Sequence, residues 1–149
     1  MTAGEYCNRT VIITQMDTSI VEAAQLMRQH HVGDLVVVEQ QETGAIPVGM
    51  ITDRDLVIEI IAQEVPVNSV TVKDVMSTDI VTVTEDKTLL DSLNLMQGRG
   101  IRRLPVVNKK GVLQGILSAD DAIELIAEAT SNLARLVKYE ISHEARVHP

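Results

Sequence analysis

The first apolar segment, Thr10 to Thr14, is short, continuous and β-branched, a pattern that predicts a buried strand. The period then changes. Ile20, Ala23, Ala24 and Met27 fall at i, i+3, i+4 and i+7, one stripe of an amphipathic helix, and Asp17, Thr18 and Ser19 supply capping residues before it. Leu35 to Val38 is an unbroken apolar run, as expected of a strand covered on both faces. A polar turn follows over Gln40 to Gly44, Ile46 to Thr52 reads as a further strand, and a helix is predicted from Asp53 to about Ala62. Pro66 and Asn68 mark a linker.

The second half repeats this order. Val81 to Val83 reads as a strand, Glu85 to Thr88 as a cap region, and Leu89, Leu93 and Met96 as the stripe of a helix. Leu104 to Val107 and Val112 to Leu117 are strands around the Asn108–Gly111 turn. Ile12 matches Val81, Met27 matches Met96, and Leu35–Val38 matches Leu104–Val107, all at an offset of 69. Gly49 to Asp55 matches Gly115 to Asp121 at an offset of 66, so the first hairpin loop is longer by three residues. The fold class is α+β, two pseudo-symmetric β-α-β-β-α repeats, divided as 1–66 and 67–149. Half-sized copies of this kind bury a core only together, and the groove between them is the first place to look for function. Val72 to Met76 reads as a short turn of helix leading into the second copy. The last helix continues past Ala127 through Leu133, Leu136, Val137 and Ile141, either packing back on its own domain or forming a dimer contact.

Composition narrows the function classes. A net charge of −8 and a pI of about 4.9 leave no basic surface for nucleic acid. No apolar run approaches the ~18 residues of a membrane span, and no N-terminal signal pattern is present, so the expectation is a soluble, cytoplasmic protein. A single cysteine, Cys7, excludes an internal disulfide and a cysteine-based zinc site; it aligns with Met76 and reads as a small apolar packing residue. With no Phe or Trp, the core is aliphatic, and a bound ring would lie between Val, Ile and Leu side chains. His30 and His31 point in different directions, lack a third ligand, and read as a polar helix end. Asp53 and Asp55 diverge at a helix start, which leaves a magnesium role unsupported. No Ser-His-Asp arrangement, phosphate loop or metal cluster points to an enzyme.

Val72-x-x-Val75-Met76, Arg102-Arg103-Leu104-Pro105-Val106-Val107 and Gly115-Ile116-Leu117-Ser118-x-x-Asp121 stand in this order in the chain, and Gly49-Met50-Ile51-Thr52-x-x-Asp55-Leu56 repeats the closing motif in the first copy. Together they resemble the CBS (cystathionine-β-synthase) domain, and the tandem pair resembles a Bateman module. The resemblance implies a non-enzymatic sensor that binds AMP, ADP, ATP or S-adenosylmethionine between the copies and requires no cofactor. In such modules the Asp of the [Ser/Thr]-x-x-Asp motif holds the ribose hydroxyls, and the Ser or Thr hydroxyl reaches the phosphate or ribose. It further implies a homodimer, a disc of two modules, and a separate effector protein that reads ligand-biased movement of the repeats.

The chemistry of the residues agrees with that pattern. A carboxylate in the first turn of a helix can accept two hydrogen bonds from a cis-diol while free helix N–H groups face an anion, and guanidinium binds phosphate through two nitrogens. Carried over, site one combines Thr52, Arg54 and Asp55 with Asp79, Ile80, Val81, Arg102 and Arg103. Site two, the weaker, combines Ser118, Asp120 and Asp121 with Thr10 and Val11, and has Gly33 and Asp34 where site one has its arginines. The expectation is a nucleotide in site one, and in site two either nothing or an uncharged adenosyl group, because phosphate there would meet like charge.

Overall fold

The computed structural model describes residues 1–148. The elements are α1 (Ala3–Tyr6), β1 (Ile13–Thr14), α2 (Ile20–His30), β2 (Asp34–Gln41), β3 (Gly44–Thr52), α3 (Asp53–Asp55, continuing as a π-helical segment Leu56–Ile61), α4 (Val72–Val75), β4 (Val83–Thr84), α5 (Leu89–Arg99), β5 (Arg103–Val107), β6 (Leu113–Ser118) and α6 (Ala119–Val147). Two three-stranded sheets form, β1-β2-β3 and β4-β5-β6, each with its first pair parallel and its second antiparallel. The duplicated α+β architecture is the one the apolar pattern predicts.

Equivalent residues build equivalent cores. Ile20, Met27, Leu35, Val37 and Ile51 are buried in the first copy, and Leu89, Met96, Leu104, Val106 and Leu117 in the second. The helix ends match as well. Ser19 and Thr88 accept hydrogen bonds from the Glu22 and Asp91 amides, each at 3.1 Å, which satisfies a free donor of the first turn. His31 (φ 53°) and Gly100 (φ 65°) close α2 and α5 in the left-handed conformation that frees the chain to turn into β2 and β5.

The short helices are exchanged between the copies. Ala3 of α1 is buried against Val83, Leu89 and Leu104, whereas Val72 of α4 is buried against Ile20, Leu35 and Ile51. The exchange is carried by backbone: Ala3 N–H donates to the Lys87 carbonyl at 2.7 Å and Gly4 N–H to Glu85 at 2.9 Å, as Val72 donates to Thr18 at 3.0 Å and Lys73 to Met16 at 2.9 Å. The repeat therefore begins at Thr2 and Thr71, each opening a capping box, with Glu5 and with Asp74. Each copy lends a turn of helix to the other, so the two cannot separate without exposing both cores.

Two differences from the sequence pattern matter for the site. The strands expected over Thr10–Thr14 and Val81–Val83 shrink to the two-residue β1 and β4, because the residues before them leave the ladder and line cavities instead. The helix expected over residues 53–62 is α-helical only through Asp55 and then widens to π. Helix α6 leaves its domain: every described residue from Ile126 onward is exposed. It does not pack back on its own fold.

Candidate functional site

The helix starts are tied to the strand starts that face the groove. Asp53 N–H donates to the Gly33 carbonyl at 2.9 Å, and Ala119 N–H donates to the Arg102 carbonyl at 2.8 Å. The repeat exchanges volume at this contact. In copy one a glycine sits against an aspartate, and a Cβ at position 33 would come within 3.1 Å of Asp53 Oδ2. In copy two an arginine sits beside an alanine.

The larger cavity, about 590 Å³, lies between the copies. That volume falls in the range of small-molecule sites (roughly 300–1,000 Å³). Met50, Ile80, Val81 and Ile101 give it aliphatic walls, and Thr52, Arg54, Asp79, Arg102 and Arg103 give it polar ones. Seven of the eight residues of site one are gathered here. Asp55 is not among the lining residues: its Oδ2 accepts from the Thr52 amide at 2.9 Å while Thr52 Oγ1 accepts from the Asp55 amide at 3.1 Å, a reciprocal cap that engages one carboxylate oxygen. Asp34, Asp53 and Ser77, which the sequence motifs did not assign to site one, line the cavity as well.

The arginines differ in how they are held. Arg102 Nη2 contacts Asp120 Oδ1 at 2.7 Å in an exposed pair. Arg103 Nε lies 2.9 Å from Asp34 Oδ1, with the Asp34 side chain only 10% exposed. Arg54 has no carboxylate partner among the described residues. Burial pushes the Asp34 carboxyl above its ordinary value, the Arg103 guanidinium pulls it back, and Asp53 adds to the push.

The smaller cavity, about 250 Å³, is lined by Thr10, Val11, Ser118 and Asp121 of site two, together with Asn8, His31, Gly33, Asp34 and Arg103. Asp120 is drawn off to Arg102. Asp121 keeps its carboxylate free of any return cap: its amide donates to Ser118 Oγ at 3.0 Å, but no bond runs back from Ser118 N–H. The cavity is not without arginine, since Arg103 reaches it from β5; the sequence offset pointed to Asp34 at this position and could not show a partner crossing from the other copy. Gly33, Asp34 and Arg103 form a wall common to both cavities.

A duplicated α+β module with ligand-sized cavities at the seam is the class this fold and groove define. The CBS-domain family profile matches residues 3–62 and 72–128, and the chain belongs to that family as a tandem CBS pair, a Bateman module. CBS-domain proteins are typically non-catalytic regulatory modules. Among similar proteins, the uncharacterized protein MK0525 of Methanopyrus kandleri is 37% identical over 125 residues, covering 84% of this chain and 62% of its own length. The CBS domain-containing protein YhcV of Bacillus subtilis is 35% identical, over 85% of this chain and 84% of that protein. The chain thus spans less than two thirds of some relatives and most of others.

Two solved structures superimpose closely. The CBS-domain pair of MJ0100, in complex with 5′-methylthioadenosine and S-adenosyl-L-methionine, has a TM-score of 0.74 at 25% identity and covers 87% of this chain and 98% of that one. Hypoxic Response Protein I, with two coordinated zinc ions, has a TM-score of 0.73 at 29% identity and covers 83% and 98%. Among the described residues of this chain, no three His, Cys, Asp or Glu side chains are grouped to hold a metal ion, and no helix is long and apolar enough to cross a membrane.

Proposed function

We propose that the chain is a non-enzymatic sensor whose larger cavity binds an adenosine phosphate, AMP, ADP or ATP, and that occupancy biases the arrangement of the two repeats for a partner protein to read. The observation that carries this is the composition of one cavity: aliphatic walls from Ile80, Val81 and Ile101 for a base, and Arg54, Arg102 and Arg103 for phosphate. The adenosyl ligands of the similar MJ0100 pair support the base and ribose part of the reading. The arginines favour an anion over the sulfonium of S-adenosylmethionine, because Arg54, exposed on the cavity wall and without a carboxylate partner among the described residues, gains from a negative partner. Thr52, Asp53 and Asp79 supply oxygen acceptors on the cavity wall for the ribose, and the cap leaves the second carboxylate oxygen of Asp55 free.

The smaller cavity, with Asp34 and Asp121 on its wall, is read as unsuited to phosphate. A ligand shifts the repeats only by its difference in affinity for their arrangements. The exposed apolar residues of α6, Leu133, Leu136 and Val137, support a homodimer as the assembled form.

Titration calorimetry with adenosine, AMP, ADP, ATP and S-adenosylmethionine tests the reading. AMP, ADP or ATP is expected to bind more tightly than S-adenosylmethionine, and Arg54→Gln and Arg102→Gln are expected to weaken the phosphates without weakening adenosine. A structural adaptor with unused cavities is the outcome if no adenosyl compound binds.

A further inference from the structure

Asp34 opens β2 and Arg103 opens β5, at the same position of the two repeats, and both line both cavities. Either of these residues at both positions would set like charges facing each other. Here they carry opposite charges at 2.9 Å. Arg103 is also one of the cations of the larger cavity, so the same guanidinium is offered to a bound anion and to a protein carboxylate. Asp34 cannot simply turn to water when it loses that partner, because its side chain is 10% exposed and Asp53 stands beside it. An unpaired buried carboxylate is costly. Arg102 faces no such constraint, because both members of its pair with Asp120 are more than half exposed and such pairs separate at little cost.

We propose that Asp34 is a specificity-determining residue of the larger cavity: it competes with the ligand for Arg103 and so sets how much negative charge a ligand must bring. The inference deepens the nucleotide reading and rests on it for the ligand's position. A neutral nucleoside leaves the Asp34–Arg103 pair in place. A ligand with one phosphate must draw Arg103 partly off Asp34, and a more highly charged one compensates that loss more fully. The same pair then informs the smaller cavity, since Asp34 left behind makes that cavity more negative whenever the larger one holds an anion. Selectivity among adenosine, AMP and more highly phosphorylated ligands therefore comes from a residue of the first repeat that carries no phosphate-binding chemistry of its own.

The test is a double-variant cycle read by calorimetry with three probes, adenosine, AMP and inorganic pyrophosphate. The proteins are the full chain, Asp34→Asn, Arg103→Gln and the double variant, with Asp34→Ser as a second replacement and thermal unfolding as the check on folding. Asp34→Asn is expected to tighten AMP and pyrophosphate about tenfold, and to leave adenosine within about twofold. In the Arg103→Gln background the same replacement is expected to have no effect on any probe. An equal gain in both backgrounds would mean that Asp34 acts as a bulk negative charge and not through Arg103, which overturns the proposal, as does the absence of any gain. If adenosine binds no variant while pyrophosphate shows the Arg103-dependent gain, the adenosyl reading falls and the role of Asp34 stands. If adenosine binds and the gain is missing, the role of Asp34 falls and the adenosyl reading stands. Silence from all three probes removes both.

Discussion

Asp34 and Arg103 occupy the same position in the two repeats, 69 residues apart, and their side chains meet at 2.9 Å. A contact between the copies at the wall shared by both cavities is thus made by one position of the repeat with its own counterpart. A symmetric pair would repel, and divergence to opposite charge turns the axis into an ion pair.

The pair has a pH signature. The Asp34 carboxyl lies above its ordinary value of 3.8, with burial as the main cause, Arg103 opposing and Asp53 assisting. A group whose folded value is raised binds its proton more tightly when folded. Its contribution to stability is therefore fully present below the unfolded value and is lost as pH rises through the folded one. The stability of the native protein relative to Asp34→Asn is expected to improve as pH falls from neutral toward about 4. Urea midpoints at a series of pH values measure this, and the difference cancels the opposite trend of Glu5 and Asp86, whose values are lowered by hydrogen bonds. A pH-independent difference would contradict this linkage.

Two glycines hold the exchanged arms. At Gly115 a methyl group would lie 2.5 Å from Cys7 Sγ and 2.8 Å from the Asn8 carbonyl; at Gly49 it would lie 2.7 Å from the Ser77 carbonyl and 2.9 Å from Met76 Sδ. Neither arm can retreat freely, because Asn8 and Ile116 exchange backbone hydrogen bonds at 2.8 and 2.9 Å, and Ser77 and Met50 do so at 2.9 and 3.1 Å. Gly115→Ala and Gly49→Ala are each expected to destabilise by about 1–3 kcal/mol. Cys7→Ala is expected to relieve Gly115→Ala only in part, since the Asn8 carbonyl remains. Chemical denaturation of the three single variants and of the Cys7/Gly115 double variant measures both effects.

Much of this was legible in the sequence, for a physical reason. Apolar periodicity reports burial, and burial is what the two copies share, so Ile20 matches Leu89 and Leu35 matches Leu104 by sequence alone. The cap regions Asp17–Ser19 and Glu85–Thr88 were legible because caps act within one turn, and within them the structure uses Ser19 and Thr88. What escaped was reach between copies. The capping-box spacing of Thr2 and Glu5 matches that of Thr71 and Asp74, yet the apolar pattern from Thr10 onward left α1 unread, and nothing in the spacing says that either helix packs on the opposite repeat. Asp34 could be assigned to the smaller cavity by offset, yet its partner lies on another strand of another sheet. Asp55 shows the converse: the motif placed it at a helix start, and whether its carboxylate faces ligand or its own Thr52 amide is decided by a rotamer that spacing does not encode.

Cys7 reports on the N-terminal arm. The thiol is part-buried, and burial raises its pKa, with Arg9 pulling down and Glu85 pushing up. Because the thiolate is the reacting form, alkylation by iodoacetamide is expected to be slower than for a free cysteine at the same pH. Gly115→Ala, which crowds Sγ, is expected to speed it by loosening the arm. A native rate equal to that of the unfolded chain would show that the arm is not held as the structure has it.

In the proposed homodimer the protruding part of α6 would tie assembly to helix content. Leu133, Leu136 and Val137 are 64%, 59% and 53% exposed and follow Ile126 along one stripe, with Arg135, Lys138 and Ser142 on the opposite side. Most of a helix's stability in a protein comes from packing its apolar face, so the helicity of this tail depends on covering that stripe, and a second copy of the chain offers an identical one. Diluting the protein is therefore expected to lower the helical circular dichroism in step with the fall in sedimentation coefficient from dimer to monomer. Leu133→Lys with Leu136→Lys is expected to give the monomer at all concentrations. Those positions touch neither core, so the denaturation midpoint of the cavity-bearing module is expected to change little when compared with the wild type at concentrations where it too is monomeric. A dimer that persists in the double variant would place the interface elsewhere on the module and leave the stripe for a different partner.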